Sequence, residues 1–360
     1  MNTSQLTFTR FIAATFIVFY HFAGNLFPID SNFVKVIREN FFLGVSYFYV
    51  LSGFVMILAY GHQERVEPKK YLTNRFARLY PLHTFTLALT ILISLLLAIN
   101  YLADYQLDLT GFFLNLTLFQ AWFPFYSLTF NVPSWSISAE LFFYLTFPFI
   151  FNSIYKTVRF RNFAVFVMTF WLICQIGMNI YYTSNLYGGE KSLDRYFLFY
   201  NPFLHLNSFL IGILFAGIFK RYHSKFPKNL DMPILLVFAL NCFLIYLLKD
   251  LLLQNGLLAL NFGFMILLLA ANSGRTTKMF TRKTFIHLGN ISFAMYLLQN
   301  PVFIFLRKGL EVLHISNEYA LFFLGFPVLL VCSHFTYRLI EIPLQKKIRG
   351  RSNIVHLKRK

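Results

Sequence analysis

Runs of about twenty apolar residues follow one another along most of this 360-residue chain, and they constrain it more than any other feature. A helix needs roughly 20 mostly apolar residues to cross the hydrocarbon core of a bilayer. Ten segments qualify: 7–27, 40–60, 79–100, 135–155, 163–183, 198–219, 232–248, 252–271, 285–306 and 319–340. In lipid every backbone polar group must be satisfied within the protein, which leaves helices or a closed barrel. The expected fold is an all-α integral membrane protein with about ten transmembrane helices. An eleventh run, 111–130, is interrupted by Asn115, Gln120 and Pro124, and predicts a re-entrant or interfacial segment. Charged residues make up 13% of the chain, against about 25% in a soluble domain. That deficit argues against a water-soluble globule and excludes a disordered chain.

The net charge of +18 is explained by where the cations fall. With ten crossings and a cytoplasmic N-terminus, the cytoplasmic pieces hold 25 of the 32 Lys and Arg residues. This is the positive-inside pattern. A crossing at 111–130 would move every later loop to the other side and destroy the bias. Both termini are therefore expected in the cytoplasm, and the basic excess reads as topology and contact with anionic lipid rather than nucleic-acid binding. The expected organisation is one membrane domain, 1–345, and a basic cytoplasmic tail, 346–360. The first run follows Arg10 as a signal peptide would, but it lacks an A-x-A-like cleavage site and reads as a retained anchor. Cys174, Cys242 and Cys332 sit in apolar runs with no disulfide or zinc spacing. There is no metal-ligand spacing, Gly-rich phosphate loop or G-x-S-x-G elbow.

Ionisable groups inside spans are functional candidates by default. Arg10 and His21 are eleven residues apart. At ~100° per residue they share one stripe of a helix, about 16 Å apart along its axis. Glu140, in Trp135-Ser136-Ile137-Ser138-Ala139-Glu140, lies ~8 Å inside the outer end of its span, at a depth similar to that of His21. A carboxylate beside an imidazole fixes its tautomer and raises its basicity; a structural ion pair between helices is the alternative reading. Tyr296, Gln299 and Asn300 reach a comparable level and add polar lining, as do Trp135 and Ser136. Ser52, beside Gly53, reads as a point of close helix packing more than of chemistry. Toward the cytoplasm, Arg75 and Arg78 precede the third span. Arginines three apart share a helix face, and their guanidinium forks suit phosphate oxygens. Glu341 is placed to orient one of them.

Together these motifs resemble the integral-membrane acyltransferase 3 family, the O-acyltransferases of bacterial surface polysaccharides. Arg10-x10-His21 matches the family's R-x10-H pattern, and Gly44-Val-Ser-Tyr-Phe-Tyr-Val-Leu-Ser52-Gly53-Phe is similar to its second-span motif. Arg75-x-x-Arg78 and Trp135-Ser-Ile-Ser-Ala-Glu140 match its R-x-x-R and W-S-L-S-x-E. Leu288-Gly-Asn-Ile-Ser292-Phe-Ala-Met-Tyr296-Leu and Glu341-Ile-Pro343-Leu match its closing motifs. Members often carry a His after the Tyr-Leu of the ninth span, where this chain has Gln299-Asn300. The esterase-like domain fused to some members is not present in this sequence, which resembles the stand-alone form and implies a separate extracytoplasmic transferase as partner.

The resemblance implies a multi-pass protein of the bacterial inner membrane. Its donor would be a cytoplasmic acyl-CoA, chiefly acetyl-CoA, and its acceptor a hydroxyl of a surface glycan or lipid-linked saccharide. Tyr and Trp residues around 101–134 and 181–200 would suit stacking on the acceptor's sugar rings, or equally an interfacial aromatic belt. Arg75, Arg78 and Arg10 would then hold the coenzyme phosphates. His21 would act as general base or acyl carrier, oriented by Glu140. No permanently bound cofactor or metal is implied. A transporter or flippase for a lipid-linked saccharide is the competing class, but no duplicated halves or matching broken helices are visible. A purely structural scaffold leaves Arg10, His21 and Glu140 without a reason for their placement.

Overall fold

The computed structural model describes residues 3–24, 26, 31–97 and 108–357, and all regular structure among them is helical. In chain order the first α-helices are α1 (Gln5–Phe22), α2 (Asn32–Glu39), α3 (Gly44–Tyr60), α4 (Pro68–Leu97) and α5 (Leu109–Thr117). They are followed by α6 (Trp135–Phe149), α7 (Phe160–Thr183), α8 (Leu193–Tyr200), α9 (Leu206–Tyr222) and α10 (Asp231–Leu247). The last five are α11 (Ala259–Ala271), α12 (Arg275–Phe280), α13 (Lys283–Val312), α14 (Glu318–Thr336) and α15 (Ile342–Leu357). Tyr101, Tyr105, the ends of the spans predicted at 7–27 and 79–100, and tail residues 358–360 lie outside the described residues.

The chain divides into two compact units. One comprises Met1–Val66, Phe149–Phe199 and Phe203–Asn290; the other comprises Glu67–Pro148, Tyr200–Pro202 and Ile291–Lys360.

The first unit is built on the crossing of α3 and α9, with α7 and α11 also against α9 and α1 and α11 against α3. Lipid offers no hydrophobic drive for helix pairing, so close approach must come from small residues. Gly53 and Gly212 supply it. A Cβ on Gly53 would stand 2.0 Å from the Phe209 carbonyl oxygen, and one on Gly212 would stand 2.0 Å from that of Val50. The two backbones therefore touch at a point where no other residue fits. Ser52, one residue away, is buried.

Seven helical stretches among the described residues are long and apolar enough to cross a membrane, not ten. They are Phe41–Tyr60, Pro68–Leu96, Val132–Tyr155, Phe160–Thr183, Pro202–Lys225, Lys283–Val312 and Glu318–Gly350. The other three predicted spans are shorter or more polar as helices. Helix α1 has 18 residues and includes Gln5, Arg10 and His21. Helix α10 has 17 residues. In the run 252–271 only the last 13 residues are helical, a rise of about 20 Å against a core of ~30 Å. The cause lies in Gln254-Asn255-Gly256. Gly256 has φ +93°, a left-handed conformation that ends any regular helix. The carbonyl oxygens freed there are taken up inside the unit, by Gln175 Nε2 on Asn255 (3.0 Å) and Trp171 Nε1 on Gly256 (2.8 Å). Irregular backbone is tolerated within a membrane protein where it is satisfied in this way.

In the second unit the 30-residue α4 is the longest strut, together with residues from Ile291 onward of the equally long α13. Helix α15 and the π-helical turn Tyr337–Glu341 before it pack along α4. The run 111–130 forms no spanning helix. It folds as the nine-residue α5 and two 3-10 turns, Gln120–Trp122 and Pro124–Tyr126, with Leu118 at φ 60°.

Substituting Gly53 by Val should lower the thermal unfolding temperature of detergent-purified protein by several degrees, an overpacking cost of about 1–3 kcal/mol or more. Gly177→Ala in α7, where a Cβ meets open space, should be neutral or stabilising. Equal unfolding temperatures for the two variants would contradict this packing.

Candidate active site

Helices α4 and α6 carry the side chains that matter in the second unit. Tyr71 and Arg75 lie one turn apart on α4, and Glu140 and Tyr144 lie one turn apart on α6, the i,i+4 spacing that puts side chains on one face. The Tyr144 hydroxyl donates a short hydrogen bond to Glu140 Oε1. The Arg75 guanidinium carbon sits 5.7 Å from the centroid of the Tyr144 ring and 5.6 Å from that of Tyr71. Tyr71 is itself stacked on Phe147 of α6, at 5.4 Å and 28°. Both tyrosines are almost fully buried, with 1% of their surface accessible. A guanidinium near two aromatic rings gains electrostatic attraction while its N–H fork stays in one plane. The charges of Glu140, Arg78 and Arg75 all act on the Tyr144 hydroxyl.

This joins two groups that the sequence sets apart. Arg75 is expected on the cytoplasmic side, just before a span beginning at 79, and Glu140 toward the opposite face. Helix α4 instead starts at Pro68, which places Arg75 about two turns inside it. The side chain of Tyr144, one turn beyond Glu140, closes the gap. Arg78 and Glu140 are partly exposed, as is Arg75, so the cluster is reachable from outside the packed helices.

A second polar group fixes the start of α6. Ser136 Oγ and the Tyr296 hydroxyl lie 2.8 Å apart, and both donate to the Pro133 carbonyl, at 3.0 and 3.1 Å. Asn131 Nδ2 donates to the Leu297 carbonyl at 2.9 Å, and Gln299 Nε2 to that of Tyr296 at 2.8 Å. Ser136, Tyr296 and Gln299 thus lie together at the start of α6. The buried Oε1 of Gln299 and Oδ1 of Asn131 have no partner among the described residues, so both remain acceptors. Trp135 meets Tyr200 edge-on at 4.9 Å. Asn300 follows Gln299 on α13, partly exposed, and Glu341 is buried in the π-helical turn against α4.

In the first unit Arg10 and His21 both belong to α1, so their shared stripe holds. Arg10 is partly exposed. His21 occupies the last turn with its side chain exposed and its ring edge-on to Tyr20 at 5.0 Å. Among the described residues no three His, Cys, Asp or Glu side chains gather in a way that would hold a metal ion.

Three contributors were not singled out in the sequence. Tyr144 and Tyr71 carry the link between the arginine and the carboxylate; the signal for them was the i,i+4 spacing to Glu140 and Arg75. His83 is the third. Its Nε2 lies 2.8 Å from the Asn115 carbonyl, and Tyr80 donates to the Leu116 carbonyl at 2.6 Å, which fastens α5 to α4.

The acyltransferase-domain family, acyltransferase 3, matches residues 4–338. The chain belongs to that family. It is 29% identical over 243 residues to the acyltransferase MdmB of Streptomyces mycarofaciens, covering 65% of this chain and 62% of that protein. It is 21% identical over 329 residues to the O-acetyltransferase OatA of Staphylococcus aureus, covering 85% of this chain and 53% of that protein. An 83-residue stretch, 22% of this chain, is 41% identical to 39% of protein 2 in the picA locus of Rhizobium radiobacter. The chain therefore spans between about half and two thirds of the length of the first two relatives. No solved structure matches it. As an acyltransferase 3 member it is a multi-pass, all-α bacterial membrane protein.

Tyr144→Phe keeps the ring beside Arg75 and removes the hydroxyl from Glu140. It should cost about 1–3 kcal/mol, the penalty for a polar group deprived of its hydrogen bond. Tyr144→Leu, which also removes the ring, should cost more. Thermal unfolding in detergent checks the order, and a Tyr144→Phe protein as stable as the parent would contradict the link.

Proposed function

We propose that this protein is an O-acyltransferase of the bacterial inner membrane, moving an acyl group, chiefly acetyl, from cytoplasmic acyl-CoA to a hydroxyl of a cell-surface glycan or its lipid-linked precursor. Family membership supports the reaction class, and the similarity to the O-acetyltransferase OatA supports the acetyl group. The observation that carries the reading is the joining of Arg75, Tyr144 and Glu140 in one compact unit. Two family motifs that are far apart in sequence, those of Arg75 and Glu140, meet there through Tyr144.

In this reading Arg75 and Arg78, with Arg10, hold the phosphates of the coenzyme. The aromatic rings beside Arg75 orient its fork for planar, two-pronged contact. The pantetheine arm follows the stripe of α1 toward His21. His21 then removes the proton of the acceptor hydroxyl as that oxygen attacks the thioester carbonyl, and the thiol of coenzyme A departs. In the second route the imidazole first takes the acyl group and passes it to the hydroxyl. Glu140 orients the imidazole and stabilises its cationic form. Ser52, Trp135, Ser136, Tyr296, Gln299, Asn300 and Glu341 support this path as lining.

The same reading keeps both termini in the cytoplasm, with residues 1–345 as the catalytic membrane domain and 346–360 as a basic tail. The short helices α10 and α11 leave and return as a pair, so the basic loops on either side of them share one face whatever depth the pair reaches. Helix α1, with a rise of about 27 Å, sets the side of the N-terminus.

Membranes containing the protein, given radiolabelled acetyl-CoA, should label a glycan or glycolipid. His21→Ala should insert equally well and lose that labelling by a factor of about 100 or more, the usual scale of a general base. Undiminished labelling in His21→Ala membranes would overturn the role given to this residue.

A further inference from the structure

The first unit contains a cavity of about 350 Å3 that the acyl-transfer reading does not use. Helix α10 lines it over its whole length, through Asp231, Ile234, Phe238, Cys242 and Ile245. The stripe from Asp231 to Ile245 rises about 21 Å. Helix α1 closes it with Thr9, Ala13 and Phe16, and α3 and α11 add walls that are overwhelmingly apolar. On α1 these residues lie about 100° round the axis from Arg10 and His21, so the slot and the proposed catalytic stripe are on different faces. Leu235 and Phe238 line the slot and are also exposed, which leaves it open along the flank of α10. A slot of this size with apolar walls is suited to a long hydrocarbon ligand.

A basic stretch of chain adjoins one end of the slot in sequence. Asp231 and Thr276 line that end, and the exposed side chains of Lys228, Arg275 and Lys278 surround it in sequence. None of the three cations is in an ion pair among the described residues. The Asp231 carboxylate is already saturated. It accepts from the backbone N–H of Arg275 (2.7 Å) and of Thr276 (3.1 Å) and from Asn272 Nδ2 (2.8 Å). Burial pushes its pKa up, but these hydrogen bonds outweigh that and hold it below the usual aspartate range. Three exposed cations on the segments that carry Asp231 and Thr276 suit an anion attached to a hydrocarbon chain.

We propose that the slot binds one hydrocarbon tail of an anionic phospholipid, with its phosphate held by Lys228, Arg275 and Lys278. A bilayer supplies such a molecule at high concentration, and the open flank of α10 lets a tail enter sideways. The site is independent of the acyl-transfer reading and stands or falls without it.

The test uses full-length protein stripped of lipid in detergent and given dioleoyl phosphatidylglycerol or dioleoyl phosphatidylcholine. Native mass spectrometry counts the bound lipid. Cys242 reports its place in a Cys174→Ser/Cys332→Ser background, through the rate of alkylation by N-ethylmaleimide. Phosphatidylglycerol should bind with a preference of about fivefold or more, since one membrane-surface cation is worth roughly that factor, and it should slow Cys242 alkylation where phosphatidylcholine at the same concentration does not. Replacing Lys228, Arg275 and Lys278 together by Ala, all on the surface, should abolish the preference. Equal binding of the two lipids, or a Cys242 rate indifferent to phosphatidylglycerol, would overturn the proposal. Asn241, whose Oδ1 has no partner on the slot wall, provides a further check. Asn241→Leu should leave phosphatidylglycerol binding unchanged or tighter. Weaker binding would mean a ligand that donates a hydrogen bond there, which a hydrocarbon tail does not do.

Discussion

A guanidinium two turns inside a long helix lies beside aromatic rings of two helices, and the second unit is organised around that contact. Arg75 lies beside the rings of Tyr71 and Tyr144, and the hydroxyl of Tyr144 is bound to Glu140. Each member answers a need of another. The rings give the cation an electrostatic partner without neutralising it, and the hydroxyl donates a hydrogen bond to the carboxyl group. Helix α4 is thereby tied to α6, and the start of α6 is held in turn by the Ser136–Tyr296–Pro133 group and by Asn131 on the Leu297 carbonyl. The residues argued to act on the donor sit on elements fixed by hydrogen bonds and ring contacts, not on loops.

The first unit meets the same constraint in a different way. Gly53 and Gly212 let the backbones of α3 and α9 touch, a contact made by omitting side chains. The irregular stretch around Gln254–Gly256 places its carbonyls on Gln175 and Trp171. The second feature explains why hydropathy counted a full span at 252–271 where the helix has only 13 residues. A run of apolar residues at 252–271 reports burial, and both a lipid-facing helix and a satisfied turn inside the protein are buried. Only Gly256, with its positive φ, marks the difference, and a lone glycine in an apolar run is a weak signal when read alone. The all-helical class was legible because twenty-residue apolar runs leave few alternatives. Helix α10 covers the 17 residues expected, shifted by one position; the length of α11 was not legible, because it depends on tertiary hydrogen bonds at Asn255 and Gly256.

In the site, single residues were more legible than their relations. Arg75, Arg78 and Glu140 stand out in sequence because charges are rare in spans. Their meeting through Tyr144 was hidden, because a tyrosine among 72 aromatic residues carries no mark of its own. The assignment of Arg75 and Glu140 to opposite faces of the bilayer rested on starting the third span where charge ends, at 79. The helix starts at Pro68, with its first turns built from Lys69, Lys70 and Tyr71. Spans of membrane proteins are located by apolarity, whereas helices are located by caps and packing, and the two boundaries need not agree.

The central claim is that Arg75 and Glu140 work as one unit through Tyr144. A double-mutant cycle on acetyl transfer from acetyl-CoA tests it most directly, comparing kcat/KM for Arg75→Gln, Glu140→Gln and the two combined. Groups that act together lose most of their joint effect with the first substitution, so the combined variant should fall within about twofold of the worse single variant. Losses that multiply would show two independent residues and contradict the account.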